Sequence, residues 1–483
     1  MSTNLATPST IEQRALQRKR PATRLPGPPW YTAMGNTFSF LRHALAFSGE
    51  MRETFGDVVS VPTLMGRLTL IFHPDGVRHV LQENHRNYNK DIPDYRILSL
   101  LLGKGLLTND GESWLQQRRL IQPAFHRNQV AALGPIMTES VQTWLEHMEE
   151  EGYAETGGPV DVLAEMSGLT LSIVCKALFG ADLRAEQLAR VSRALTTANH
   201  LLASAFYLPG VLSLPTPQRH RLRAARQELH AVVDEIVRQR RSDVSHHTDL
   251  LAMLLNARDA ETGAGMSDQQ VRDEVLTLLL AGHETTANAL TWTFYLLAQH
   301  PEHVAKLQEE YRHVLAGRPP LMADLPDLPQ TRMVIEESMR LYPPAWAVGR
   351  HALQADEMSG YAIPKGAYVL LFQYVTHRHP DFWDQPDAFD PERFSTEQGA
   401  DRPRFAYFPF GGGPRLCIGA QFALTEAQLI LATILARYQA RLVPGARIIP
   451  EPLVTLRPRG QLMMTLHRSS DRASNRGQNG DIA

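Results

Sequence analysis

The stretch Phe410-Gly-Gly-Gly-Pro-Arg-Leu-Cys-Ile-Gly419 decides how the rest of this chain is interpreted. It presents Cys417 on a glycine-rich turn, just before an apolar segment that is predicted to be helical over residues 420–442. A thiolate there faces the free N–H groups and the positive dipole end of the helix, which favour the ionised sulfur. The glycines let the backbone approach a flat group closely. The loop is therefore predicted to hold a planar, metal-bearing cofactor through Cys417.

Other interpretations of this loop fail on single residues. A phosphate loop requires a Gly-Lys-Ser/Thr ending, which is missing. A dinucleotide fingerprint requires a third glycine at the position of Leu416. A zinc site made of four cysteines is excluded, because Cys175 and Cys417 are the two cysteines of the chain. Cys175 lies in an apolar stretch and is predicted to be a small, buried side chain of a helix.

A second motif, Ala281-Gly-His-Glu-Thr-Thr286, lies near the middle of a predicted helix that begins at Ser267 and is stopped by Pro301. Ser267 and Gln270 form a capping-box signature. About 33 residues at about 1.5 Å each give a length of roughly 50 Å, so this helix is expected to cross the interior. A zinc protease would need histidine in place of Ala287.

Together these motifs resemble the cytochrome P-450 superfamily. The family pattern Phe-x-x-Gly-x-Arg-x-Cys-x-Gly is matched at every fixed position, by Phe410, Gly413, Arg415, Cys417 and Gly419. The resemblance implies a soluble, bacterial-type monooxygenase that carries haem b (iron protoporphyrin IX) with Cys417 as the axial thiolate. It also implies the fold: mainly α, with a single large domain, a long central helix and a small β-rich subdomain.

The resemblance also assigns roles around the two motifs. Thr285 would supply a hydroxyl on the oxygen-binding side of the haem, and Glu284 would help to relay protons. The haem itself would be held by aromatic, glycine and arginine residues, namely Trp114, Arg118, Arg350, Phe410, Arg415 and Gly419.

A cluster of opposite charges is expected to hold the fold together. Glu337 and Arg340 are three residues apart on a predicted helix, and the resemblance adds Arg393 from the sequence Pro391-Glu-Arg-Phe394. Glu336 lies four residues from Arg340 and is the alternative partner. Such a cluster would serve folding and haem retention rather than chemistry.

The expected pocket walls are apolar, which favours an apolar substrate. By family topology they include Leu278, Ala281, Ala345, Trp346, Val348 and Val454, for each of which plain core packing is the alternative. Residues 206–212 are predicted to form a lid between two helices. The stretch 105–126 resembles the fatty-acid and alkane hydroxylating branches of the family, which favours fatty acids or similar lipophiles. A terpene, steroid or polyketide oxidase is the alternative.

The rest of the sequence sets the domain organisation. Residues 1–25 are expected to be a flexible segment, 26–468 the catalytic domain and 469–483 a disordered tail. Residues 58–61 and 68–72 are predicted to be strands, with mostly helical sequence from 74 to 353 and further strands near 360 and over 368–375. Residues 1–24 lack the apolar core of a secretory signal or membrane anchor, although their Ser/Thr/Arg bias also resembles a mitochondrial presequence.

Composition narrows the partners. The chain has 483 residues, with 49 basic against 51 acidic side chains, so no nucleic-acid partner is expected. Its longest apolar runs are shorter than a bilayer-spanning helix, so no membrane anchor is expected. Low cysteine usage suits a reducing compartment, and a cytoplasmic protein is predicted.

Other haem-thiolate functions compete with a monooxygenase. A peroxide-driven enzyme lacks the acid–threonine pair by family precedent, and isomerases tend to lose the threonine, so Glu284 and Thr285 argue against both. A haem sensor or carrier needs no proton delivery. No flavin or nicotinamide motif follows Gly419, so two electrons would come from a separate ferredoxin or flavodoxin with its reductase. That donor is expected to dock near Arg402, Arg404 and Arg415.

Overall fold

The long helix predicted around Ala281 runs through the middle of the protein. In the computed structural model it extends without interruption from Asp268 to Gln299, and Ser267 caps it. The Gln270 backbone N–H donates to the Ser267 hydroxyl over 3.3 Å, and the Gln270 side chain accepts from the Ser267 N–H over 2.8 Å. This capping box satisfies two N–H groups that the first turn of a helix leaves free.

The structure describes residues 23–181, 183–207, 215–242, 249–258, 263 and 265–469. Nearly all of the predicted flexible segment and of the predicted tail, and most of the predicted lid at 206–212, lie outside these ranges. Within them the chain is mainly helical with a small β-rich part, which confirms the predicted fold class.

The helices are numbered in chain order: α1 (Ala33–Phe55), α2 (Pro74–Arg78), α3 (Pro93–Leu102), α4 (Gly111–Ile121), α5 (Arg127–Ala132), α6 (Gly134–Glu150), α7 (Tyr153–Thr156), α8 (Val162–Phe179), α9 (Ala185–Tyr207), α10 (Pro217–Arg241), α11 (Leu250–Asn256), α12 (Asp268–Gln299), α13 (Pro301–Leu315), α14 (Pro329–Leu341), α15 (Gln373–Thr376), α16 (Thr396–Gly399) and α17 (Ala420–Leu435). The strands are β1 (Val58–Thr63), β2 (Gly66–Ile71), β3 (Tyr88–Asn89), β4 (Pro159–Asp161), β5 (Val348–Ala352), β6 (Asp356–Met358), β7 (Tyr361–Ile363), β8 (Tyr368–Leu371), β9 (Tyr438–Leu442), β10 (Pro450–Pro452), β11 (Leu456–Pro458) and β12 (Met463–Arg468).

The largest sheet has the strand order β1-β2-β8-β5-β3. Its β1–β2 hairpin is the one predicted from sequence, with Thr63 opposite Gly66 at the turn. β8 pairs with β2 in parallel and with β5 antiparallel, so strands from opposite ends of the chain share one sheet. β8 ends at Leu371 and α15 follows, so the predicted strand over 368–375 is too long.

The helix predicted over 420–442 is also too long. α17 ends at Leu435, and Tyr438–Leu442 form β9, which pairs antiparallel with β12. Tyr438 is buried, so this segment gains both backbone pairing and a place in the core. Tertiary pairing therefore overrides a local sequence that continues in helical register.

One described helix, α8, has the length and mean hydropathy (1.6 over 18 residues) to cross a membrane, contrary to the sequence expectation. Of that window 61% is buried inside the protein, where α8 packs along α12. Core helices of soluble proteins share these properties. Cys175 lies on this helix and is fully buried, as predicted.

The expected ion cluster fastens α14 to the segment that follows α15. Arg340 Nε and Nη2 donate to the two carboxylate oxygens of Glu337 over 2.7 and 2.8 Å, and both side chains are 0% exposed. Arg340 also donates to the backbone carbonyls of His377, Pro386 and Ala388.

The third predicted member completes this cluster. Arg393 Nε lies 3.5 Å from Glu337 Oε1. The alternative partner, Glu336, pairs with Arg332 instead. The cluster therefore connects one helix to two later segments through a single buried carboxylate.

Replacing Glu337 by alanine is expected to lower the free energy of unfolding by about 3–5 kcal/mol, because the Arg340 guanidinium stays buried without its carboxylate. Glu309→Ala is the control: it removes an exposed i,i+3 pair with Arg312 on α13, and is expected to cost less than about 1 kcal/mol. Urea denaturation of the two holoproteins measures the difference. Equal losses would contradict a special role for the buried cluster.

Candidate active site

A cavity of about 390 Å³ lies between α12 and the loop that carries Cys417. Every residue expected from sequence to bind the cofactor or oxygen lines it: Trp114, Arg118, Glu284, Thr285, Arg350, Phe410, Arg415, Cys417 and Gly419. Residues more than 300 positions apart along the chain thus meet around one space.

Backbone hydrogen bonds shape the cysteine loop. The Cys417 N–H donates to the Phe410 carbonyl over 3.0 Å, and the Leu416 N–H donates to the Gly413 carbonyl over 3.1 Å. Gly413 has φ +64°, and a Cβ at this position would overlap the carbonyl oxygen of Leu81. Glycine is therefore required at position 413 both for its backbone conformation and for the close approach of a second segment.

The surroundings of Cys417 act on its sulfur in opposite directions. Its side chain is exposed to the cavity, directly ahead of the first turn of α17. Burial raises the pKa of the thiol, while the Gly419 backbone and the Arg118 guanidinium lower it. Metal coordination holds a cysteine as the thiolate, so the sulfur is placed to be an iron ligand.

One end of the cavity is lined by a group of cations, which we call the cation cluster: Lys90, Arg118, Arg350 and Arg415. Arg415 forms a short ion pair with Asp110 and stacks over the Trp114 ring, 3.8 Å from its centroid. Arg118 Nη1 donates to the Leu416 carbonyl over 3.1 Å. Arg350 Nη1 contacts the Tyr95 hydroxyl at 3.3 Å.

The cation cluster fits the two carboxylates of haem b. Burial, and next the guanidinium groups of Arg415 and Arg350, lower the pKa of Lys90 well below its ordinary value. Burial also lowers the pKa of Arg415 to about 10. Buried cations are stable only when anions compensate them, and Asp110 is the one carboxylate paired with the cluster among the described residues. Two further anions would compensate two of the three positive charges that remain.

Sequence reasoning missed Lys90, Tyr95 and Asp110. Lys90 donates its Nζ to the Leu107 carbonyl over 2.6 Å and lies over the Tyr95 ring. Its backbone N–H donates to Asp110 over 2.5 Å. The usable signal was Asp110 ahead of Gly111, which is typical of a helix N-cap, but its pairing with Arg415 is purely tertiary.

The acid predicted to relay protons is partly buried and lines the cavity. The Glu284 carboxylate accepts a 2.5 Å hydrogen bond from the Thr455 hydroxyl and a short one from the Asn199 amide. Burial raises its pKa above the ordinary value, which these hydrogen bonds and Arg457 partly offset. The Thr285 hydroxyl donates over 2.6 Å to the Ala281 carbonyl, one helical turn earlier. Asn199 and Thr455 were not predicted.

Five of the six predicted substrate contacts line the cavity: Leu278, Ala281, Ala345, Val348 and Val454. Trp346 does not, so that prediction is wrong. Its indole Nε1 donates to the Leu453 carbonyl over 3.0 Å and its ring packs against Phe372, 5.7 Å between centroids. A large aromatic ring with one polar atom is better satisfied in the core beside the sheet.

The arginines expected to dock an electron donor differ in exposure. Arg404 is exposed. Arg402 is half-buried, stacks over the Trp383 ring at 4.0 Å and donates to the Arg393 carbonyl. Arg415 lines the cavity. Arg404 is therefore the member of this set that projects from the surface.

The sequence and the fold have clear relatives. The cytochrome P450 family profile matches residues 25–464. The chain belongs to the cytochrome P450 family. Cyclooctatin synthase of Streptomyces melanosporofaciens is 37% identical over 91% of this chain and 95% of its own length. Cyclooctat-9-en-7-ol 5-monooxygenase of the same organism is 36% identical over the same shares.

Two further comparisons agree with this membership. Pentalenene oxygenase of Streptomyces avermitilis is 33% identical over 88% of this chain and 92% of its own. The crystal structure of the cytochrome P450DA heme domain superposes with a TM-score of 0.82 at 28% identity, over 94% of this chain and 99% of that one. This cytochrome P450 is therefore a monooxygenase that carries haem with a cysteine thiolate ligand.

Replacing Lys90 by methionine is expected to speed haem loss by about 10-fold, because the variant lacks the ammonium that would pair with a haem carboxylate while the apolar stem stays. Lys365→Met changes an exposed lysine in the same way and serves as the control. Transfer of haem to apomyoglobin, followed in the Soret band, measures both rates. Unchanged haem loss in the Lys90 variant would remove it from the cofactor site.

Proposed function

We propose that this cytochrome P450 is a terpene monooxygenase. It would hydroxylate or epoxidise a cyclic, apolar terpene with O2 and two electrons from a separate carrier. Membership of the family and the monooxygenase class stand on the comparisons above. The substrate class is our inference from the charge distribution in the cavity and from the relatives.

The distribution of charge in the cavity carries this inference. The cations that line it belong to the cation cluster, which would hold the haem carboxylates. Apart from Glu284 and several threonines, the described walls around Ala281 are apolar, contributed by Leu98, Leu106, Leu278, Ala345, Val348 and Val454. No further lysine or arginine among the described lining residues is free to neutralise the carboxylate of a fatty acid. An uncharged hydrocarbon skeleton matches this lining better.

The relatives support the same choice. Those reported above are named for cyclooctatin, cyclooctat-9-en-7-ol and pentalenene, which are terpene names. Each aligns with about nine-tenths of this chain. The fatty-acid preference drawn from the stretch 105–126 therefore gives way to terpenes.

Residues in different parts of the cavity would have different roles in the reaction. Cys417 would bind the iron, and the cation cluster would hold the haem through its carboxylates. Haem bound in this way supplies the chemistry that activates O2 and inserts one oxygen atom into a C–H or C=C bond. The small side chain of Ala281 leaves room for substrate in the cavity. Apolar walls exclude bulk water from the reacting carbon.

Glu284 and Thr285 of α12 would deliver protons to the reaction. Glu284 holds a proton more readily than an exposed glutamate, since burial raises its pKa. Its hydrogen bonds to Thr455 and Asn199 connect the helix to the loop before β11 and to α9. The Thr285 hydroxyl, one residue on, lines the cavity and is placed to pass a proton onward.

Electrons must arrive from a separate protein in this proposal. A ferredoxin or flavodoxin with its reductase is the expected donor, and exposed Arg404 offers one positive contact for an acidic partner. Such a donor system suits a reducing, cytoplasmic setting.

A spectral titration of the ferric holoenzyme tests the substrate class. Cyclic sesquiterpenes and diterpenes are expected to shift the Soret band towards the high-spin position, because an apolar ligand displaces water from the iron. Long-chain fatty acids are expected to give no saturable shift. A shift with fatty acids, steroids or polyketides alone would replace terpenes by that class.

A pair of threonines on α12 tests the proton-delivery role. Thr285→Val removes the hydroxyl that lines the cavity, and is expected to lower product formed per electron pair by at least about 10-fold, since positioned proton transfer contributes about 10²–10⁴-fold in general. Thr291 makes the same 2.6 Å bond to the carbonyl four residues earlier but does not line the cavity. Thr291→Val is expected to keep full coupling. Equal coupling in both variants would contradict the assignment.

A further inference from the structure

The segment 103–107, between α3 and α4, forms one wall of the cavity. Leu106 and Leu107 contribute that wall. The segment has no regular secondary structure, so other groups must satisfy its backbone. The Gln117 amide donates to the Lys104 carbonyl over 2.8 Å, and Lys90 Nζ donates to the Leu107 carbonyl over 2.6 Å.

Two adjacent carboxylates of α12 take the N–H groups of the same segment. Asp273 Oδ2 accepts from the Lys104 N–H over 2.8 Å, and Glu274 Oε2 accepts from the Leu106 N–H over 3.0 Å. Asp273 is 5% exposed and Glu274 is 0% exposed. We call this pair the carboxylate clamp.

Two glycines allow the segment to lie directly on the helix. A Cβ on Gly103 would overlap the Asp273 carboxylate, and a Cβ on Gly105 would overlap the Thr277 hydroxyl. Gly103 also has φ +64°, which favours glycine. The contact therefore depends on backbone approaching the carboxylates without an intervening side chain.

Burial raises the pKa of Glu274 to about 8, while its bond to the Leu106 N–H lowers it and Asp273 raises it further. The carboxyl is therefore mainly neutral at pH 7. It accepts the Leu106 N–H without burying a second full charge next to Asp273. Its other oxygen, Oε1, has no hydrogen-bond partner among the described residues, so its role here is the contact with the segment.

We propose that Asp273 and Glu274 are positioning residues, which hold segment 103–107 as a fixed pocket wall and thereby set the size of the ligand that fits above the haem. The clamp deepens the proposed function, and rests on it only in that the substrate binds in this cavity. The same segment is bonded through Leu107 to Lys90 of the cation cluster. α12 thus positions the pocket wall. Through the bond between Leu107 and Lys90, it also affects where that wall lies relative to the cofactor site.

Three variants of the holoenzyme separate the clamp from general effects on α12. Glu274→Leu removes the acceptor, Glu274→Gln keeps one acceptor oxygen, and Asp268→Asn changes an exposed carboxylate of the same helix that pairs with Arg241. Amide hydrogen exchange of residues 103–107, without any ligand, is measured first. Exchange in Glu274→Leu is expected to rise by about 10-fold or more, while Glu274→Gln and Asp268→Asn stay near the wild type.

Pocket size is measured with two iron-binding probes, imidazole and phenylimidazole, which need no knowledge of the substrate. In the wild type the ratio of their dissociation constants reports the space above the iron. In Glu274→Leu this ratio is expected to change by about 5–10-fold in favour of the larger probe, with no change in Asp268→Asn and recovery in Glu274→Gln.

Two outcomes overturn the proposal. Exchange at 103–107 that is unaffected by Glu274→Leu means that the carboxyl does not hold the segment. Faster exchange with an unchanged probe ratio means that the segment is held but does not set pocket size. Where Glu274→Leu fails to accumulate as holoenzyme, Asp273→Ala repeats both measurements with the same expected changes. It removes the bond from α12 to the Lys104 N–H, and because Lys104 is exposed, that N–H is left to water and the variant is expected to fold. If terpenes do not bind, hydrogen exchange and the probe ratio can still be measured. Only the proposed substrate class is then discarded.

Discussion

The bond between the Cys417 sulfur and the haem iron is the interaction on which the rest of the structure depends. It requires an anionic sulfur inside the protein, where burial by itself favours the neutral thiol. The loop therefore combines the start of α17, the Gly419 backbone and the Arg118 guanidinium around one atom. Gly413 makes this possible, because no side chain fits between the loop and Leu81.

The second constraint is charge. Four cations at one end of a mostly apolar cavity would be unstable alone, and haem carboxylates provide the anions that compensate them. Cofactor binding and folding are thereby linked, because the ligand that supplies these anions stabilises the native state. The same assignment leaves no further cation among the described residues of the opposite walls, and this separation is what favours an uncharged substrate.

α12 carries residues that contribute to several of these features. Its first turns carry the carboxylate clamp, its middle carries Ala281, Glu284 and Thr285, and its C-terminal half packs in the core. Asp273 and Glu274 bind backbone on one side of the cavity, while Glu284 binds Thr455 and Asn199 on another. A rigid helix can position pocket wall and proton donor together because its internal hydrogen bonds fix their spacing.

Local sequence predicted what depends on local chemistry. The capping box at Ser267, the hairpin of β1 and β2, the glycine-rich loop and the central helix follow from residue types at short spacing, since these set backbone conformation within a few residues. The motif match also selected Cys417, Thr285 and the arginines that line the cavity. Tertiary structure decided the remainder. It turned residues 438–442 into a strand by pairing them with β12, moved Trp346 out of the pocket, and brought Lys90, Asn199 and Thr455 to the site. These outcomes depend on which distant groups satisfy a buried polar atom or an open strand edge, and spacing along the chain does not encode that.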